Sequence, residues 1–278
     1  VSALPPAGPL LTAAVHRSLR DALAAGASEC RCSVDLGRTT VAVGVAPEAW
    51  TFAGTAYPWP QACRERTVYA WNGAAFEPLA RYGAALVKLV PTDWGPPTFE
   101  IDGIKMLPTA AVSPLEDARR KVALVRPAGA AILDTCGGLG YFAGCALEAG
   151  AASVLSFEKS PEVRWLRERN PWSPPEGGAL TLRADDVAAR LQELPARSFD
   201  AILHDPPRFG IAGELYSAAF YAGLARVLRP GGRLFHWTGA PNSRSRGRDL
   251  AREVIRRLAA VGFDARPEGD GVFAIRRR

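Results

Sequence analysis

From Ala130 to Ile275 short apolar runs alternate with stretches of helical periodicity, and this alternation constrains the fold of the 278-residue chain more than any other feature. Strands are predicted over residues 130–134, 153–158, 179–183, 199–204, 233–238 and 271–275, with helices over 141–149, 161–169, 187–194, 214–228 and 248–261. A helix between consecutive strands carries the chain back to the starting end of the sheet, so the strands run parallel and the helices cover both faces. The expected fold class is α/β with a doubly wound, mostly parallel sheet. Ser113-Pro114-Leu115-Glu116 marks one more helix ahead of the first strand, through about Val125: an N-cap serine, proline at the first helical position, and glutamate three residues after the cap.

Residues 1–110 read differently. Leu11, Val15, Leu19 and Leu23 recur every four positions and predict a helix over 10–25, stopped at Gly26. After it the period falls to two. Strands are expected over Cys32–Leu36, Thr40–Val45, Ala85–Val90 and Thr98–Ile101, and Asn72-Gly73 is the tight turn of a hairpin between 67–71 and 74–76. Pro91, Pro96, Pro97 and Pro108 punctuate the crossing. Two domains are expected: 1–110, small and β-rich with a leading helix, and 111–278.

The 48% hydrophobic content suits a folded core and excludes a disordered chain. No apolar run approaches the roughly 18 residues of a membrane span, and the N-terminus lacks a signal-peptide pattern. The five cysteines, Cys30, Cys32, Cys63, Cys136 and Cys145, contain no CxxC spacing; they read as reduced thiols of a cytoplasmic protein, and no metal site is expected. Of the net charge of +6, none falls in residues 1–110, where nine basic side chains meet nine acidic ones. Arg226 to Arg257 alone holds nine arginines against Asp249 and Glu253, a surface for an anionic ligand or simply a solvated helix face.

Ala131-Ile-Leu-Asp-Thr-Cys-Gly-Gly-Leu-Gly-Tyr-Phe is an apolar strand running into a glycine-rich turn and a helix, an arrangement that lets backbone approach a ligand closely. Asp134 opposes a phosphate at this turn and suits a cation. Asp134-x-Cys136-x-Gly138-x-Gly140 resembles the first motif of class I S-adenosylmethionine-dependent methyltransferases, with Cys136 in place of the first glycine. The resemblance implies a Rossmann-like fold with S-adenosyl-L-methionine as cofactor. It places Asp134 near the cofactor's amino-acid end, Glu158 on the ribose hydroxyls with Lys159 beside it, and Asp185 or its neighbour Asp186 on the adenine amino group. Taken singly, Glu158 and Asp185 also read as acids at helix starts.

His204-Asp205-Pro206-Pro207-Arg208-Phe209 resembles the Asp/Asn-Pro-Pro-aromatic motif of methyltransferases acting on amino nitrogens. There a rigid turn aims a side-chain oxygen and a backbone carbonyl at the acceptor nitrogen, so catalysis is mainly positioning. Arg208 takes the place of the base-stacking aromatic and Phe209 comes one position late, so the motif does not specify a nucleobase. Asp205, His204 and Arg208 are the expected catalytic residues; Pro206, Phe209, Glu214, Tyr216, His236 and Arg246 are expected to bind substrate. Either histidine can serve as a base near neutral pH, the alternative being a histidine satisfied by hydrogen bonds within the loop. Trp172 reads equally as a stacking residue or a structural aromatic. Arg244, Arg246 and Arg248 suit a grip on a carboxylate or phosphate.

The whole chain is similar to a little-characterised group of predicted methyltransferases best represented in archaea, through blocks such as Leu133-Asp-Thr-Cys-Gly-Gly-Leu-Gly-Tyr, Asn170-Pro-Trp-Ser and Ser245-Arg-Gly-Arg-Asp. Methyl transfer to nitrogen, less readily to oxygen, is the expected activity. The acceptor is left open between an anionic small molecule and RNA, and the oligomeric state, a homodimer among its options, is open too. Two other readings stand beside it: a polyamine aminopropyltransferase of the spermidine synthase kind, and a non-catalytic RNA-binding module.

Overall fold

In the computed structural model, which describes residues 8–208, 210, 212–239 and 249–278, the alternating segment forms one seven-stranded sheet among the described residues. Its strands are β1 (Ala131–Asp134), β2 (Ser153–Phe157), β3 (Leu180–Arg183), β4 (Phe199–His204), β5 (Leu228–Trp237), β6 (Phe263–Glu268) and β7 (Gly271–Arg276). Their spatial order is β3-β2-β1-β4-β5-β7-β6. Pairings among the first five are parallel, and β7 is antiparallel to both β5 and β6. The fold class is thus α/β, a doubly wound, mostly parallel, Rossmann-like sheet accompanied by a small β-rich N-terminal part. The strand order reverses between β1 and β4, which opens a crevice beyond their C-terminal ends.

The helices are α1 (Ala13–Ala24), α2 (Pro114–Leu124), α3 (Tyr141–Glu148), α4 (Pro161–Arg169), α5 (Val187–Arg190), α6 (Ala218–Val227) and α7 (Leu250–Ala260). Central strands are apolar on both sides because both faces are covered: Ile132, Leu133, Ile202 and Leu234 are fully buried. One face packs Leu133, Ile202, Leu234 and Val272 with Tyr221 and Leu224 of α6 and Val254 and Leu258 of α7.

Several elements depart from expectation for local reasons. The single helix expected over 214–228 is a 3-10 turn, Gly213–Tyr216, followed by α6, because Ser217 caps afresh: its hydroxyl accepts from the Phe220 N–H at 3.1 Å. The helix expected over 187–194 ends at Arg190 and tightens into a 3-10 turn over Leu191–Glu193. β5 begins at Leu228, with a register shift against β4 between Phe199 and Ala201. β6 was not expected at all, since Phe-Asp-Ala-Arg-Pro-Glu carries charges and a proline; as an edge strand it tolerates both.

The chain forms two units, one of residues up to Leu115 together with Trp165–Ser173, the other of Glu116–Arg164 and Pro174–Arg278. Within the first, α1 begins one turn later than expected because Leu10–Leu11 pairs with Tyr69–Ala70 as a strand and Thr12 is the N-cap. A sheet of Glu29–Cys32, Val41–Val45, Ala49–Phe52 and Thr55–Pro58 lies beside this pair, and Ala80–Tyr82, Leu86–Val90, Thr98–Ile101 and Ile104–Lys105 form another. The strands at 49–52, 55–58, 80–82 and 104–105 were not expected, and the strand placed at 32–36 lies earlier, at 29–32. Trp50 is fully buried here, stacked on Tyr57 at 4.8 Å and Phe76 at 5.6 Å.

Candidate functional site

The turn after β1 is shaped by backbone that only glycine adopts readily. Gly138 has φ +50° and Gly140, the N-cap of α3, has φ +84°. The Gly137 N–H donates to the Phe157 carbonyl at 2.7 Å, and the Gly138 N–H donates to Glu158 Oε2 at 2.9 Å. Glu158 Oε1 accepts from the Ser160 N–H at 2.9 Å, so this carboxylate, one residue past β2, is oriented by the loop that follows β1. Asp134 closes β1 fully buried, with the Ser156 hydroxyl donating to its Oδ2 at 2.8 Å. Cys136 packs against the core, and burial pushes its thiol well above the usual range, so it is protonated and no nucleophile.

The two acids weighed for adenine are both engaged. Asp186 caps α5, accepting from the Ala188 N–H at 2.9 Å, and pairs with Lys159 Nζ at 3.0 Å; Glu214 lies 3.8 Å from the same ammonium. Asp185 meets Arg183 at 2.9 Å and Arg190 at 3.3 Å; the hydrogen bond from Arg183, then Arg190, holds its carboxyl below the ordinary range.

At the ends of β4 and β5, His204 and His236 match the alternative reading, histidines satisfied by hydrogen bonds, and not that of a base. His204 is fully buried, its Nδ1 lies 2.6 Å from Thr135 Oγ1 and its Nε2 3.1 Å from the Leu215 carbonyl. A carbonyl only accepts, so Nε2 carries the proton and Nδ1 receives one from the threonine. Burial pushes the imidazole pKa down to about 3. His236 is its mirror: Nδ1 donates to the Trp237 carbonyl at 2.7 Å, Nε2 accepts from the Tyr221 hydroxyl at 2.8 Å, and burial again disfavours the charged ring. The rings meet edge to face at 4.4 Å. Neither His204 as a base nor His236 as a substrate ligand fits this arrangement; both are neutral supports beneath the loop. Tyr216, expected to bind substrate, is likewise buried behind the loop, its hydroxyl donating to the Pro207 carbonyl at 3.1 Å.

Asp205 is the group that this scaffold presents. It is partly exposed, and burial raises its pKa to about 7, Lys121 opposing the rise and Asp117, Asp270 and Asp134 adding to it. Lys121 was missed by sequence reasoning. Only 5% exposed on α2, its Nζ lies 2.6 Å from Asp117 and 3.0 Å from Asp270, and Trp237 Nε1 donates to the same Asp270 oxygen at 2.9 Å. A signal was present: it is one of four lysines in an arginine-rich chain, one helical turn after an aspartate. Pro206 is buried, Arg208 and Glu214 are exposed, and Phe209 and Arg246, with Arg244 and Arg248, lie outside the described residues. Trp172 is used inside the first unit, where its Nε1 donates to the Leu36 carbonyl at 2.9 Å.

No protein-family model matches the chain. The uncharacterized protein MJ1233 of Methanocaldococcus jannaschii is 45% identical over 199 residues, which cover 69% of this chain and 67% of that protein. The chain belongs to that protein's family. Among solved structures, a spermidine synthase in complex with the transition-state analogue AdoDATO matches at a TM-score of 0.55 and 16% identity, over 71% of this chain and 72% of that one. The spermidine synthase of Thermotoga maritima gives 0.54 and 16%, over 71% of each chain, and MNMC2 of Aquifex aeolicus gives 0.50 and 20%, over 69% of this chain and 70% of its own. At these identities the likeness is one of fold alone. Among the described residues no helix is long and apolar enough to cross a membrane.

Proposed function

We propose that this family member is an S-adenosylmethionine-dependent methyltransferase that methylates a nitrogen acceptor. The observation that carries the reading is the placement of Asp205, on a loop of two prolines braced from behind by Tyr216, at the same sheet edge as Asp134, Glu158 and the glycine turn. The donor set suits the cofactor. Glu158 is a carboxylate held in place by two backbone N–H groups and able to accept from a diol. Gly138 and Gly140 carry no side chains to obstruct a ligand, Leu139 between them is buried, and Asp134 favours a cationic centre. The cofactor, when bound, supplies an electrophilic methyl group on a sulfonium.

The chain's own work is then positioning. Asp205 in its ionised form accepts a hydrogen bond from the acceptor N–H and turns the nitrogen lone pair away from itself, and it can take up the released proton near neutral pH. Asp205→Ala is expected to lower turnover by about 10²–10⁴-fold while leaving cofactor affinity within several-fold. Loss of affinity instead would move Asp205 to the cofactor site.

Aminopropyl transfer is the second reading, favoured by the fold likeness to spermidine synthases. Calorimetry with S-adenosylmethionine, its demethylated product and its decarboxylated form separates the two. Tighter binding of the carboxylated ligands supports methyl transfer, and preference for the decarboxylated one overturns it. The acceptor is sought by incubating fractionated cell extract with cofactor labelled in the methyl group.

A further inference from the structure

We propose that Thr135 is a positioning residue for the acceptor loop: through the buried ring of His204, its hydroxyl ties the turn after β1 to the 3-10 turn that braces the loop of Asp205. This rests on the reading of Asp205 and of the glycine turn as the acceptor and cofactor sites. β1 and β4 pair in parallel with Asp134 opposite Leu203, so the next residues along, Thr135 and His204, stand side by side where the sheet opens its crevice. Both are buried.

Proton bookkeeping gives their contact a direction. The Leu215 carbonyl can only accept, so the His204 Nε2–H donates to it at 3.1 Å and Nδ1 is left bare. Thr135 has one hydroxyl proton and two acceptors within reach, Nδ1 at 2.6 Å and the Leu203 carbonyl at 3.3 Å. That carbonyl already accepts the Thr135 N–H at 3.1 Å, so the hydroxyl proton goes to the ring. One chain of donors thus runs from the turn after β1 through the imidazole to Leu215.

The far end of that chain holds the acceptor loop from behind. Leu215 lies in the turn Gly213–Tyr216, whose Tyr216 hydroxyl donates to the Pro207 carbonyl at 3.1 Å, and the Arg208 carbonyl accepts from the Ala212 N–H at 3.3 Å. Asp205 lies between the His204 ring and these two carbonyls, so a ring that turns moves the segment that carries it. Packing alone does not need this chemistry. Phe220 lies 5.1 Å from the His204 ring and His236 4.4 Å, a slot that an apolar ring would also fill. Hydrogen bonds at both nitrogens add what packing lacks, a fixed rotation of the ring within the slot.

The test is made by NMR on the full chain, labelled at the histidine ring nitrogens and the aspartate carboxyl carbons, with the signals assigned by His204→Gln and Asp205→Asn. In the wild type the His204 proton is expected on Nε2, and a proton on Nδ1 overturns the proposal. Thr135→Val keeps the branched shape and removes the hydroxyl. It is expected to displace the Asp205 carboxyl signal and to speed hydrogen exchange of the Ser217 amide, which donates to the Glu214 carbonyl, at least about fivefold, as the loss of one buried hydrogen bond gives. Thr135→Ser is expected to restore the signal and to bring exchange back within about twofold of wild type. A loss of global stability speeds only those amides that exchange by complete unfolding, so acceleration confined to the turn separates positioning from a structural role. Thr135→Ala replaces Thr135→Val if the latter does not fold. A folded variant without the hydroxyl in which either readout stays at its wild-type value, or a Thr135→Ser variant that behaves like Thr135→Val, overturns the proposal. Binding of the demethylated cofactor product is measured by calorimetry on the same wild-type sample: its absence counts against methyl transfer, while the ligand-free signals alone decide whether Thr135 positions the loop.

Discussion

A carboxylate that titrates near neutrality makes Asp205 a group whose state follows pH. If the ionised form orients the acceptor, the rate rises with pH through about 7 and then levels, and Asp205→Asn removes that limb. A rate independent of pH between about 6 and 8 would count against the role. The buried histidines predict a different effect. Thr135→Val leaves His204 Nδ1 without its donor, and Tyr221→Phe does the same to His236 Nε2. Each is expected to cost about 1–3 kcal/mol in denaturant unfolding, the penalty for an unmet buried polar atom. At this scale the sequence was informative about chemistry and silent about burial. The motif around Asp205 was legible because its prolines and acid are adjacent. Nothing in the spacing of His204 and His236 revealed that each spends both ring nitrogens on Thr135, Leu215, Tyr221 and Trp237.

At the scale of elements, what was legible was what short-range chemistry dictates. The N-cap, proline and acid at Ser113–Glu116 foretold α2, and the apolar runs that became β1 and β4 are buried on both faces. Capping also explains the main departure, because Ser217 divides what periodicity alone read as one helix. Ser217→Ala is accordingly expected to destabilise the protein by about 1 kcal/mol, measured by thermal or denaturant unfolding. Gly140 has a comparable local duty with a functional consequence. Gly140→Ala places a side chain at φ +84°, at a cost of about 1–2 kcal/mol, and is expected to weaken S-adenosylmethionine binding in calorimetry through distortion of the turn that orients Glu158. β6 escaped the sequence because an edge strand needs neither alternation nor an unbroken donor ladder, only a partner, and β7 supplies it.

For the whole molecule, opposed titrations set the dependence of stability on pH. His204 is held far below its unfolded value, so its contribution is present above about pH 6.5 and is lost as pH falls toward about 3. Asp205 is raised, so its contribution is present below about pH 4 and is lost as pH rises through about 7. Between about pH 4 and 6.5 the two slopes oppose, each up to about 1.4 kcal/mol per unit. Asp205→Asn removes the falling one, and its stability is expected to climb more steeply with pH than that of the wild type in a series of urea melts. Parallel slopes for the two proteins would mean that Asp205 titrates at an ordinary value.

The sequence by itself determined the α/β class, the glycine turn, Glu158 and the loop of Asp205, because each depends on periodicity or on side chains within a few residues of one another. Tertiary structure decided which groups meet across the chain. It brought Asp270, just ahead of the last strand, to Lys121 on a helix before the first, and it placed three further carboxylates around Asp205. It also took the two histidines out of water. Charge pairing and desolvation depend on distance in space, and local sequence chemistry does not encode that distance.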